Sequence, residues 1–129
     1  MKDLHSNVKA VLALAPAVKT DAESGPAIDL QGYGSAEIVV STGALVSAGD
    51  FGFKVQHSHT TTGGDFVDAP AGDVLGTQPA AAMAATSVYR VGYIGPRRYI
   101  RVTTIDNGGT SLAIGAVAVL GDPQGAPVA

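Results

Sequence analysis

Short runs rich in β-branched and aromatic residues recur along this chain, and nearly every run is closed by Gly, Pro, Asp or Asn. They come at about the spacing of an all-β domain, and that rhythm leaves little room for a long helix. Ala27–Leu30 alternates, and Ala36–Ser41 is compact and β-branched. In Phe51–His57, Phe51, Phe53 and Val55 face one way and Lys54 and Gln56 the other. Phe66–Ala69, Asp73–Gly76, Ser87–Ile94, Arg97–Ile105 and Ser111–Leu120 follow. Thr60–Asp65 reads as a hairpin loop, because Gly63-Gly64 supplies positive φ at low cost. Asp106-Asn107-Gly108-Gly109 reads as a second hairpin, and Gly95-Pro96 as a strand break.

Val and Ile total 21 against eight Leu, which reinforces the strand reading. Seven to nine strands with reversing turns predict an antiparallel β-sandwich or a jelly-roll-like barrel. In the last strand Leu112, Ile114, Ala116, Ala118 and Leu120 share one face, and Ala113, Gly115, Val117 and Val119 share the other. A strand apolar on both faces sits centrally, or its outer face meets a partner.

The ends differ from this pattern. Residues 8–18 are apolar but interrupted by Pro16, which disfavours helix at Ala15. The expected organisation is an extended N-terminal arm over 1–16, a single β domain over 17–123 and a loose tail over 124–129. An arm of that kind should be removable without unfolding the domain. The Ala-rich stretch 78–86 reads either as one helical turn after Pro79 or as an irregular crossover.

Several function classes find no support. No run of about 18 apolar residues is present, so no membrane-spanning helix is expected. Met1–His5 lacks the basic-then-apolar layout of a secretory signal. The chain has no Cys, which excludes a disulfide framework and a Cys-ligated zinc site. His57 and His59 would make half of a zinc or copper site, yet a third ligand is not evident. No Gly-x-Ser-x-Gly elbow and no phosphate-binding loop occur. The expectation is a non-enzyme with no cofactor and no metal. Tyr89 and Tyr93 share a strand face and read as core edge.

Charge is distributed unevenly. Residues 20–80 hold eight acids and one base, whereas all four arginines, Arg90, Arg97, Arg98 and Arg101, fall after residue 80. This is too little base for a nucleic-acid surface. It suits ion pairing with Asp29, Glu37 or Asp68, or docking on an acidic partner protein. The candidate protein-interface residues are therefore Val8, Val11, Leu12 and Leu14 of the arm, with Arg97, Arg98 and Arg101.

Five segments carry a resemblance. They are the opening Met1–Asn7, then Ile28–Tyr33, Phe53–Ser58, Val91–Gly95 running into Arg97–Val102, and the closing Ala116–Pro123. This layout resembles small structural proteins encoded among the head genes of tailed bacteriophages and related prophages. The resemblance implies a virion component, most of all a capsid decoration (cement) protein on the outer capsid surface. Its implied partners are the major capsid protein and further copies of itself, commonly as a trimer. Nucleic acid and membrane are not among them. A neck or tail component, or a surface-displayed glycan- or host-binding module, is the alternative.

Overall fold

The computed structural model describes residues 3–124. Nine strands form it: β1 (Lys9–Lys19), β2 (Ile28–Asp29), β3 (Tyr33–Val46), β4 (Asp50–Ser58), β5 (Val67–Asp68), β6 (Val74–Leu75), β7 (Val88–Tyr93), β8 (Tyr99–Gly108) and β9 (Ser111–Pro123). Only three single-turn 3-10 segments accompany them among the described residues. One sheet has the order β1-β9-β3-β7-β6 and the other β2-β8-β4-β5. Every pairing is antiparallel. This interleaved order is that of a jelly roll with one added short strand, β6. The expectation of an all-β sandwich holds.

The core lies between the sheets, and strand parity assigns it. Phe51, Phe53 and Val55 of β4 and Ile100 and Val102 of β8 meet Ile38 and Val40 of β3 and Val91 of β7. From β9 come Leu112, Ile114, Ala116, Ala118 and Leu120, all buried as the alternation requires. β9 lies between β1 and β3, the central position expected of a strand apolar on both faces.

Two expectations need correction. The first concerns the arm. Residues 9–16 are extended, as expected, but they belong to β1 and pair with β9 from Lys9↔Leu120 to Lys19↔Leu112. A register shift between Leu12 and Leu14 turns both Ala13 and Leu14 inward. A second shift, between Leu14 and Ala17, brackets Pro16, which has no N–H to give a ladder. The Pro16 ring packs on Gly115, where an added Cβ would lie 2.8 Å from Pro16 Cβ. Residues 9–16 are thus a continuous part of the sheet, and the core includes Ala13 and Leu14.

The second correction concerns Asp106–Gly109. The chain does reverse there, with positive φ at Gly108 and Gly109, but β8 and β9 lie in different sheets. Turn chemistry dictates the reversal and is silent on which sheet receives the returning strand. By contrast Thr60–Asp65 joins β4 and β5 within one sheet, as expected.

Of the two readings open for residues 78–86, the structure shows the irregular crossover. These residues cover the free edge of β4. Phe53 N–H donates to Pro79 O at 2.9 Å and Met83 N–H to Phe51 O at 2.9 Å. Gln78 Oε1 accepts from Val55 N–H at 2.6 Å. The Met83 side chain is fully buried and anchors the segment. Gly52 permits this approach, since an added Cβ would lie 2.3 Å from Pro79 O. The tail expected over 124–129 lies, apart from Gln124, outside the described residues.

Candidate functional site

The two outer faces of the sandwich differ in kind. On the four-stranded sheet the outward side chains form a polar web. Lys54 Nζ pairs with Asp68 Oδ1 at 3.1 Å, and Gln56 Nε2 donates to Asp68 Oδ1 at 2.9 Å. Gln56 Oε1 accepts from Arg101 Nε at 2.8 Å and from Thr103 Oγ1 at 3.0 Å. The Arg101 guanidinium also sits 4.5 Å from the Phe66 ring centroid. Bonds to Gln56 and Lys54 hold the Asp68 carboxyl below its usual range. This face satisfies its own polar groups and suits water.

The outer face of the five-stranded sheet is apolar. Register places Leu12, Val117, Val39 and Arg90 in one row. Ala10, Val119, Glu37, Gly92 and Leu75 form the next. Gly115, Ser41 and Val88 form a third. Leu12 is 50% exposed, Val117 41%, Leu75 56% and Val88 68%. The charges in these rows are Glu37 and Arg90, which pair with each other at 3.0 Å. Shallow grooves run between the rows, one lined by Leu12, Pro16, Val39 and Val117. Five strands about 4.8 Å apart over about seven residues give a face on the order of 600 Å². Within that face Leu12, Val117 and Val39 adjoin, and Leu75 and Val88 stand exposed beyond the Glu37–Arg90 pair.

The structure separates the sequence-predicted interface residues. Leu12 is outward and exposed in the apolar face, and Val8 is half-buried at its margin. Val11 is half-buried against the core. Leu14 is 1% exposed and packs inside the sandwich, so the expectation that it contacts a partner is corrected. The arginines do not form one patch. Arg98 makes a bidentate pair with Asp29, Nε to Oδ1 at 2.9 Å and Nη2 to Oδ2 at 2.8 Å. That pair holds the Asp29 carboxyl low. Arg101 belongs to the polar web, and Arg97 lines a cleft with Arg98 at one end of the sandwich. Val39, Leu75 and Val88 share the outer face with Leu12 and were not singled out in the sequence, although the apolar second face of β9 pointed to that face.

His57 and Tyr93 form a buried polar tie between the sheets. Tyr93 Oη lies 2.7 Å from His57 Nδ1, with the rings edge to face. Tyr93 Oη also accepts from Arg97 N–H at 3.2 Å. Because the phenol oxygen takes that hydrogen bond, its own proton is available to a neutral His57 Nδ1. Burial first, and then the charge of Arg97, push the His57 pKa down; burial pushes the Tyr93 phenol up. His59 is exposed beyond the end of β4. Among the described residues no three His, Asp or Glu side chains gather as metal ligands.

No family model matches the chain, and no curated protein matches it. Among solved structures it is similar to the SPBc2 prophage-derived protein YomS, at 9% identity and a TM-score of 0.55, covering 88% of this chain and 92% of that one. It is more loosely similar to PirA, at 14% identity and a TM-score of 0.38, covering 94% and 96%. A chain in the structure of infectious bursal disease virus, Gx strain, gives 12% identity and a TM-score of 0.45, covering 93% of this chain and 35% of that one. The first likeness establishes a shared fold. The other two carry no further argument.

Proposed function

We propose that this chain is a structural component of a phage particle, and specifically a decoration protein that seats its five-stranded sheet on the outer capsid lattice. The observation that carries this reading is the contrast between the two outer faces. One is a self-satisfied polar web, and the other is a row-by-row apolar surface with a single ion pair. A water-facing sheet has no use for Leu12, Val117, Leu75 and Val88 in adjoining rows, whereas a partner surface gains from burying them. The face, on the order of 600 Å², approaches the roughly 800 Å² that each side of a standard interface supplies. The fold shared with a prophage-derived protein supports the phage setting, as does the head-gene resemblance of the sequence. The partners in this reading are the major capsid protein and further copies of the chain, and the role requires no chemistry.

The test is cryo-electron microscopy of the particle, paired with binding of the purified protein to particles stripped of it. Density at symmetric points on the outer shell, with the Leu12–Val117–Val39 row against the capsid protein, is expected. Val117→Lys should abolish binding and leave the fold intact. Absence from the particle, or undiminished binding by Val117→Lys, would overturn the proposal. Density confined to the neck or tail would retain the virion role and overturn decoration.

A further inference from the structure

A second surface lies at the end of the sandwich where the β3–β7 ladder stops. The last β3–β7 pair is Ala36↔Tyr93. β3 itself begins three residues earlier, at Tyr33, and over that stretch pairs only with β9. Among the described residues its β7-facing edge from Tyr33 to Ser35 therefore has no strand beside it. A cleft of about 420 Å³ occupies that place, walled by Gln31 and Tyr33 on one side and by Ile94 and Arg97 on the other. The volume is within the range of ligand sites. Gly34 and Ser35 are exposed at its rim, and the Asp122 side chain of β9 packs over Gly34 in the space a Cβ would take.

Arg97 supplies the charge. Arg90 is paired with Glu37, Arg98 with Asp29, and Arg101 is bonded to Gln56. Arg97 alone among the four has no hydrogen-bonding or ion-pair partner for its guanidinium among the described residues, although it is half-buried. Its backbone is fixed, because its N–H donates to Tyr93 Oη, which is itself tied to His57. An unpartnered guanidinium beside an open strand edge presents a fork to a carboxylate and a ladder to a backbone.

We propose that this cleft binds an extended acidic segment of a partner protein, which adds a short strand beside Tyr33–Ser35 and places an Asp or Glu carboxylate on Arg97. A single free guanidinium matches one carboxylate, and the unpaired edge calls for a peptide and not an inorganic anion. The inference does not depend on the virion role.

The test is a nuclear magnetic resonance titration of the isotope-labelled full chain. The probe is a mixture of end-capped pentapeptides with aspartate at the centre and the other positions randomised. Its control has asparagine at the centre, and sodium acetate serves as a free carboxylate. The aspartate peptides should shift the Tyr33–Ser35 amides and the Arg97 side-chain resonance together. Replacing aspartate by asparagine, or Arg97 by Gln, should weaken binding about tenfold or more, as expected for a lost charge-assisted bond. Arg98→Gln should weaken it much less, since that side chain is already engaged. Equal binding of the asparagine mixture, no weakening by Arg97→Gln, or no shifts at millimolar peptide would overturn the proposal. So would acetate moving Arg97 as strongly as the peptides while the Tyr33–Ser35 amides stay still.

Discussion

Leu14→Ala set against Leu12→Ala decides whether the N-terminal segment belongs to the domain. The two leucines are two residues apart on β1, and the register shift between them sends one inward and the other outward. Leu14 is 1% exposed and touches the core, whereas Leu12 is 50% exposed. Truncating a fully buried leucine loses its transfer energy and leaves a cavity, which costs about 2–5 kcal/mol. Truncating a half-exposed one forfeits about half of a transfer term alone, roughly 1 kcal/mol. A chain of this length has an unfolding entropy of about 0.27 kcal/mol per kelvin. A central loss of about 3 kcal/mol therefore lowers Tm by about 11 °C, and Leu12→Ala lowers it by about 4 °C. Urea unfolding of dilute protein, with thermal melts in parallel, measures both. If Leu14→Ala matches Leu12→Ala within about 0.5 kcal/mol, β1 is a detachable arm and the packing argument fails. The same reasoning predicts that deleting residues 1–16 unfolds the protein.

Three further outcomes follow from particular contacts. Gly52→Ala should cost about 1–3 kcal/mol by overlap with the crossover backbone; hydrogen exchange should then quicken at Phe53 and Met83, and unchanged exchange would refute the edge-cover role of residues 78–83. Because the His57 pKa is lowered in the folded state from 6.5, the unfolded chain binds more protons below that value. Stability from the neutral buried imidazole is thus full above pH 6.5 and declines as pH falls below it. Tm should drop between pH 7 and pH 5, well above the range where Asp29 and Asp68 protonate, and His57→Gln should flatten that slope. Met83→Ala should lower stability by about 2–5 kcal/mol through the cavity it leaves, and a neutral result in urea unfolding would show the crossover to be loosely attached.

The interface readings show where sequence reasoning ends. Arg97, Arg98 and Arg101 look alike as a cluster, and their neighbours in space give them three different roles. Arg98 meets Asp29 from a residue 69 positions away, and Arg101 meets Gln56 from 45 away. Asp29 was among the acids the sequence offered as partners, but no spacing rule within the cluster assigns it to Arg98 or gives Gln56 to Arg101. The pairing of His57 with Tyr93 across the sandwich is of the same kind.

Strand identity, strand faces and the all-β class were legible in the sequence. They depend on period-two alternation and turn chemistry, both of which act within a few residues. The inward set of β9 and the alternation of Phe51, Phe53 and Val55 needed no knowledge of the rest of the chain. Only the tertiary structure decided which sheet each strand joins, because a turn reverses the backbone without choosing its neighbour. It also decided that residues 9–16 complete a sheet. The bulge beside Leu14 forms only when β9 is present to pair with β1, and an isolated segment bears no mark of it. The apolar outer face and the cleft beside Arg97 are tertiary products in the same sense, assembled from strands that are distant in the chain and adjacent only in the fold.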